Sequence, residues 1–371
     1  TAQLNAATAE GLIHIENDAP SLSVNGLSTG TGDVRLLTNG TLTITDNDDT
    51  TSKTVVSATG TASLTSTEDR IRGADTIKAP NVELQAQTGI GTSSVRVQTS
   101  SDSLSADTAS GDIYLSATSS VDSVTLTSLT TGSGALDVLY GGNLSVDSAA
   151  GTSLKLYGNG SIAVNGPTTV DAKATLTSEA DISGSGTITA NELELRAETG
   201  IGIDEATPLS SAAAILTANT TTGNIYISNA YAGGTITGGL RTTDGDISLR
   251  QTNGDLTVLA TGTTDQVVQS GDSKSVTLIT DAGNVILEAG VSAINGAVTV
   301  DSGADIAGAG LISGSQVTLS ASGNIGALGA PVQTQSGTLS FEPTGGDIYL
   351  HELNDLTLDG LSTAGNVAVS A

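Results

Sequence analysis

The pentapeptide GDIYL at 111–115 returns as GNIYI at 223–227 and as GDIYL at 346–350, in steps of 112 and 123 residues. Ahead of each copy stands a second related string: LQAQTGIG at 84–91, LRAETGIG at 195–202 and LSASGNIG at 319–326. A third marker, NGLSTGTGDVRL at 25–36, is echoed by GLRTTDGDISL at 239–249 and DGLSTAGNVAV at 359–369. Ordered self-similarity at long range marks a repeat architecture, in which each unit buries its apolar face only against its neighbours. The copies start near 11, 111, 223 and 346, a super-repeat of about 110–120 residues.

A finer period lies inside it. Gly followed by Asp or Asn and then alternating apolar residues occurs at Gly223, Gly245, Gly283, Gly323, Gly346 and Gly365, with gaps of 22, 38, 40, 23 and 19 residues. The two large gaps are about twice the others, so the elementary coil is about 20 residues. Within a coil the apolar positions alternate, as in Val82, Leu84 and Ala86, in Ile113 and Leu115, and in Ile247 and Leu249. Alternation places one face of a short strand inward and the other in solvent. Asn-Gly pairs at 39–40, 165–166, 253–254 and 295–296 punctuate the strands, and no stretch carries a helical period with caps.

Short strands at this period suit a solenoid in which like strands stack in parallel. The expectation is an all-β, right-handed parallel β-helix of roughly 17–18 coils, the hand following from the crossover preference. Residues 1–371 read as one continuous β-helical repeat region, expected to be an internal fragment of a longer protein. Exposed coil ends are then expected to meet other copies or adjoining repeats end to end.

Composition agrees with a narrow core. Aromatics are 2% of the residues, and Trp, Met and Cys are absent, which removes thiol chemistry, disulfides and Cys-based zinc sites. Asn224, Asn284, Asn324 and Asn366 occupy coil corners, where they either stack in amide ladders or supply positive φ to turns. A formal net charge of −27 with scattered bases argues against nucleic-acid partners and against a polybasic membrane anchor. No apolar run is long enough for a membrane span.

The strings SGDIYLSA, TTGNIYIS, LRAETGIG and AGNVILEAG resemble the shafts of filamentous-haemagglutinin-like exoproteins, giant bacterial adhesins secreted by the two-partner route. The resemblance covers nearly the whole chain. It implies a secreted, acidic β-helix at the bacterial cell surface or in an extracellular filament. The implied role is attachment, cell–cell contact, biofilm or matrix formation, with host, cell-surface or matrix glycans and proteins as partners. The alternative is a polysaccharide-binding or polysaccharide-processing β-helix.

Enzyme chemistry finds no candidates in the sequence. A polysaccharide-processing site needs converging acids, while the two histidines, His14 and His351, lie far apart and read as repeat decoration. No catalytic, cofactor-binding or metal residues are assigned. Asp46, Asp48 and Asp49 are either calcium ligands or part of a solvated loop. Tyr114, Tyr226 and Tyr349 are flanked by inward aliphatics, so they are expected to point outward. They either contact a ligand or close a local groove. Sequons at Asn39, Asn143, Asn159 and Asn219 permit glycosylation.

Overall fold

Alternating side chains fix which face of each strand is buried, and stacking a strand on its counterpart one coil away satisfies its backbone without a hairpin. A computed structural model describes residues 2–45, 54–118, 122–259, 266–341, 345–355, 357–361, 363 and 365–371. Among the described residues the chain is all-β with no helix, its strands stacked in parallel in a β-solenoid of about 16 turns, close to the number expected from the period. The chain divides into two compact units, 1–179 and 180–371.

In the first unit, the strands Val34–Thr38, Thr61–Ser66, Asn81–Ala86 and Ser103–Thr108 stack in register. Leu36 lies against Leu64, Leu64 against Leu84, and Leu84 against Ala106. All four residues are buried. Each full burial of such a leucine stabilises by about 1.5–3 kcal/mol, offset by the entropy of ordering the coil. Besides this unbroken strand, each coil carries a broken one, such as Arg70–Arg72 with Thr76–Lys78, then Gly89–Ile90 with Val97–Ser100.

The two strand types exchange places once per super-repeat. Gly89–Ile90 and Val97–Ser100 both pair with the single strand Ile113–Thr118, which continues unbroken through Ala135–Tyr140, Ser153–Gly158 and Lys173–Ser178. On the next strand the opposite happens: Ser123–Thr131 is followed by the broken pair Asn143–Val146 and Ala149–Gly151. The second unit repeats both events. Gly200–Ile201 and the start of Leu209–Thr220 merge into Ile225–Asn229, and Thr235–Thr242 divides into Leu256–Val258 and Gln266–Ser270. Further along, Ile325 and the start of Val332–Phe341 merge into Ile348–Glu352. The GDIYL-type strings are therefore the merging strands.

Corners use a Thr-x-x-Gly pattern followed by Asp or Asn. Thr108, Thr220 and Thr280 point inward, and their hydroxyls donate to the carbonyls of Gly111, Gly223 and Gly283 at 2.6, 2.5 and 2.6 Å. A carbonyl turned inward by the bend thus keeps a partner. The Asp or Asn that follows builds a ladder. In the second unit Asp255 accepts the backbone N–H of Asn284, Asn284 that of Asp305, and the sequence runs on through Asn324 and Asp347 to Asn366, at 2.6–3.0 Å. Asn284, Asn324 and Asn366 also donate their amides to the aspartate of the previous rung. The ladder is mixed rather than all amide, and the interposed amides separate like charges that would repel on adjacent rungs. Positive φ outside glycine occurs among the described residues only at Ser273 and Asn295, so these corner asparagines are ladder residues and not left-handed turn residues.

The core also admits two rings. Tyr140 and Phe341 are buried inward, so the bore is wider than an aliphatic-only reading implies.

Buried polar side chains stand on two of the three merging strands. Asn229 accepts from the Ser211 hydroxyl at 2.7 Å and the Ala213 N–H at 2.8 Å, and donates to the Ala213 carbonyl at 3.1 Å and to Gln251 Oε1 at 2.8 Å. It satisfies both backbone groups of Ala213 in the neighbouring coil. At the same place one super-repeat later stands Glu352, which is 1% exposed. Its carboxylate accepts from the Thr334 hydroxyl at 2.8 Å, the Ser336 N–H at 2.9 Å and the Ser336 hydroxyl at 3.2 Å.

Candidate functional site: three tyrosine clefts

Tyr114, Tyr226 and Tyr349 are half-buried and outward-facing on the three merging strands, as alternation requires. Beside each, the neighbouring coil breaks and throws out a short loop: 92–96, 203–208 and 327–331. Each loop closes on itself by backbone pairing, Thr92 with Val95, Ile203 with Thr207, and Ala327 with Ala330. Each also presents one exposed aliphatic residue: Val95 is 42% exposed, Ile203 67% and Leu328 84%.

The glycine that opens each loop explains the conserved geometry of these stations. Gly91, Gly202 and Gly326 have φ of +70°, +74° and +69°. A Cβ there would meet the carbonyl oxygen of Tyr114, Tyr226 or Tyr349 at 2.5, 2.3 and 2.3 Å. Only glycine fits both the left-handed backbone and this close approach.

Each tyrosine hydroxyl is held by the residue two positions earlier. Tyr114 donates to Asp112 and Tyr349 to Asp347, both at 3.3 Å, while Tyr226 accepts from the Asn224 amide at 2.8 Å. All three phenols are pushed above their ordinary range, in each case first by partial burial and then by a nearby acid: Asp112, Asp246 and Asp347 respectively. They stay protonated at neutral pH and offer a neutral ring face.

The surroundings differ. Around Tyr114 a cleft of about 410 Å³ is polar, lined by Arg70, Thr92, Ser93 and Asp112. The Arg96 guanidinium lies 5.7 Å from the ring centroid. It also pairs with Asp137 at 2.7 Å and donates to the Asp137 and Leu115 carbonyls at 2.9 and 3.3 Å. Around Tyr226 a cleft of about 420 Å³ is lined by Glu205 and Pro208 of the loop and by Ser228, Ser248 and Thr277. In that loop Asp204 accepts from the Thr207 hydroxyl at 2.6 Å and from the Thr207 and Ala206 N–H groups at 2.7 and 2.9 Å. These bonds, the hydroxyl's foremost, hold the Asp204 carboxyl below its ordinary range. Around Tyr349 the cleft is smaller, about 180 Å³, and lined by Ala327, Pro331, Leu350, Ala368 and Val369.

His14 stands at the tyrosine's place in the first copy, on Ile13–Asn17, with Nε2 at 3.1 Å from Glu16. His351 lies two residues beyond Tyr349 and its Nδ1 is 2.9 Å from the Ser370 hydroxyl. The two histidines are thus at different positions of the repeat. Asp46, Asp48 and Asp49 lie outside the described residues. Among the described residues no group of three or more His, Cys, Asp or Glu is placed to hold a metal ion. Of the sequon asparagines, Asn143 is a corner residue whose side chain accepts the Ser161 N–H at 2.9 Å.

One surface went unnoticed in the sequence. A groove of about 500 Å³ runs across four coils of the first unit, lined by Thr65, Thr67, Gln85, Gln87, Asp107 and Thr130 among others. Its signal is present in retrospect: each of these residues is the outward penultimate residue of an alternating strand or the residue just after one.

Among the described residues no helix is long and apolar enough to cross a membrane. Comparison with known proteins finds no family model, no curated protein and no solved structure that matches this chain.

Proposed function

We propose that the chain is part of an extracellular structural or adhesive shaft of a bacterial surface or filament protein. The observation that carries the reading is the coupling of architecture to display. Each exchange of broken and unbroken strands throws out one loop with an exposed aliphatic tip beside one outward tyrosine. Parallel stacking supplies a scaffold whose length grows by whole coils, and the recurring loops supply lateral contact points, the combination an adhesive or matrix-forming protein uses. The acidic surface keeps such a scaffold soluble and non-sticking between its contact points.

Immunogold electron microscopy of producing cells with antibody raised against this chain tests the reading. Label on intact cells or on fibres around them is the expected result. Label that appears only after the envelope is permeabilised overturns it.

A further inference from the structure

The Tyr114 station shows what its geometry attracts, because the chain has filled it. Arg96, the last residue of its loop, lays a guanidinium over the ring at 5.7 Å, within the range of a cation–π contact. The same group is anchored by the carboxylate and carbonyl of Asp137, which lies beside Tyr114 in the next coil. Positions equivalent to Arg96, immediately before Val97, are Pro208 before Leu209 and Pro331 before Val332. Neither proline can reach the ring with a charge.

Among the described residues the Tyr226 station has no cation over its ring, and the acid that lines its cleft comes from the loop. The residue beside Tyr226 in the next coil is Ser248 instead of an acid. Its loop is one residue longer and supplies Glu205 to the cleft wall. Asp204 and Asp246 also stand close enough to act on the Tyr226 phenol, as does Glu205. The one cation lining the cleft, Arg250, is held by Asp281 at 2.9 Å. At the Tyr349 station the residue beside the ring is Ala368 and the cleft is smaller and apolar, so the argument applies to Tyr226 alone.

We propose that the Tyr226 cleft is a docking site for an arginine side chain of a partner protein, received over the ring as Arg96 is received at Tyr114, with the loop's Glu205 in place of Asp137. The partner segment is basic, matching a chain of net charge −27. The proposal depends on the cleft and not on the shaft reading, so either can fail alone. Association is steered by charge and weakens with salt.

The full chain labelled with 3-fluorotyrosine reports each ring separately, with resonances assigned by single Tyr→Phe variants. The probes are a pentapeptide with one central arginine, its neutral citrulline analogue, and spermine. The expected result is a saturable shift at Tyr226 with the arginine peptide and binding about tenfold weaker or worse with citrulline. Glu205→Gln weakens the arginine peptide severalfold, and Pro208→Arg, which offers the cleft its own cation, abolishes the shift. In Arg96→Ala the Tyr114 ring becomes responsive to the same peptide. A Tyr226 ring that ignores the arginine peptide at low salt, or responds equally to citrulline, overturns the proposal. Spermine binding as tightly as the peptide overturns the assignment to a protein partner.

Discussion

The strings VQTSS at 97–101 and VQTQS at 332–336 occupy the same place in two super-repeats, yet their buried hydroxyls meet opposite fates. Near the second, Glu352 sits beside Thr334 and takes hydrogen bonds from Thr334 and Ser336. Near the first, the residue beside Thr99 is Ala117, and the Thr99 and Ser101 hydroxyls are buried with no hydrogen-bond partner among the described residues. The intermediate copy solves the problem a third way. LSSAA at 209–213 has an alanine where the others have serine, and Asn229 bonds both backbone groups of that Ala213. A carboxylate only accepts, so it needs an all-donor pocket; an amide both donates and accepts, so it suits a bare backbone. The capping residue and the hydroxyls it faces are therefore one co-adapted set, and the first copy holds half of the set.

The largest expected effect comes from giving the later copy the condition of the earlier one. Glu352→Ala leaves the Thr334 and Ser336 hydroxyls without their acceptor and the Ser336 N–H with only Asn354 Oδ1 at 3.2 Å, and is expected to cost about 3 kcal/mol. Amide hydrogen exchange at Ser336 and the local denaturation midpoint read it, and an unchanged Ser336 amide breaks the comparison. Next, Asn229→Asp places a carboxylate against the Ala213 carbonyl and Gln251 Oε1, at a cost of about 2 kcal/mol that depends on pH. The sign follows from the protonated form alone being able to donate. The folded state raises the pKa of the introduced acid, so stability is retained below the ordinary carboxylate range and lost as pH rises through the raised value. Melting at about pH 4 and about pH 8 should show the variant closer to wild type in acid.

The smallest effect is the sharpest. Thr334→Val removes a made hydrogen bond and should destabilise by about 1 kcal/mol, whereas Thr99→Val removes an unmade one and should be neutral or stabilising by up to about 1 kcal/mol. Equal losses at the two sites in parallel denaturation would show that the first pocket is satisfied after all.

Much of this architecture is written in residue order. Alternation at Val82, Leu84 and Ala86 gave the inward face, the Gly-Asp and Gly-Asn strings gave the corners, and GDIYL gave strands with an outward tyrosine. The exchange of broken and unbroken strands was not legible, because it depends on which strand lies one coil away and every alternating strand looks alike in isolation. The corner threonines were missed for a related reason. Thr108 and Thr220 look like surface residues in a Thr-rich chain, and only the inward-turned carbonyls of Gly111 and Gly223 explain their burial. Outward placement of the tyrosines followed from pattern, but the Arg96 contact joins that loop to Asp137, a separation of 41 residues that no local reading spans.

The strand exchange gives this chain something like a reading frame. Between exchanges, adding or removing a whole coil leaves every strand facing its own kind, so spacing between contact loops can drift over evolutionary time without penalty to the ladder. Across an exchange, the same change sets a broken pair against a second exchange or removes the merging strand that a loop needs. The steps of 112 and 123 residues differ by 11, about half a coil, so the two super-repeats differ in the lengths of their loops and not by a whole coil. Engineered truncations or grafts should then be cut where the unbroken strands run on, as between Ala135–Tyr140 and Ser153–Gly158, and not at a merging strand.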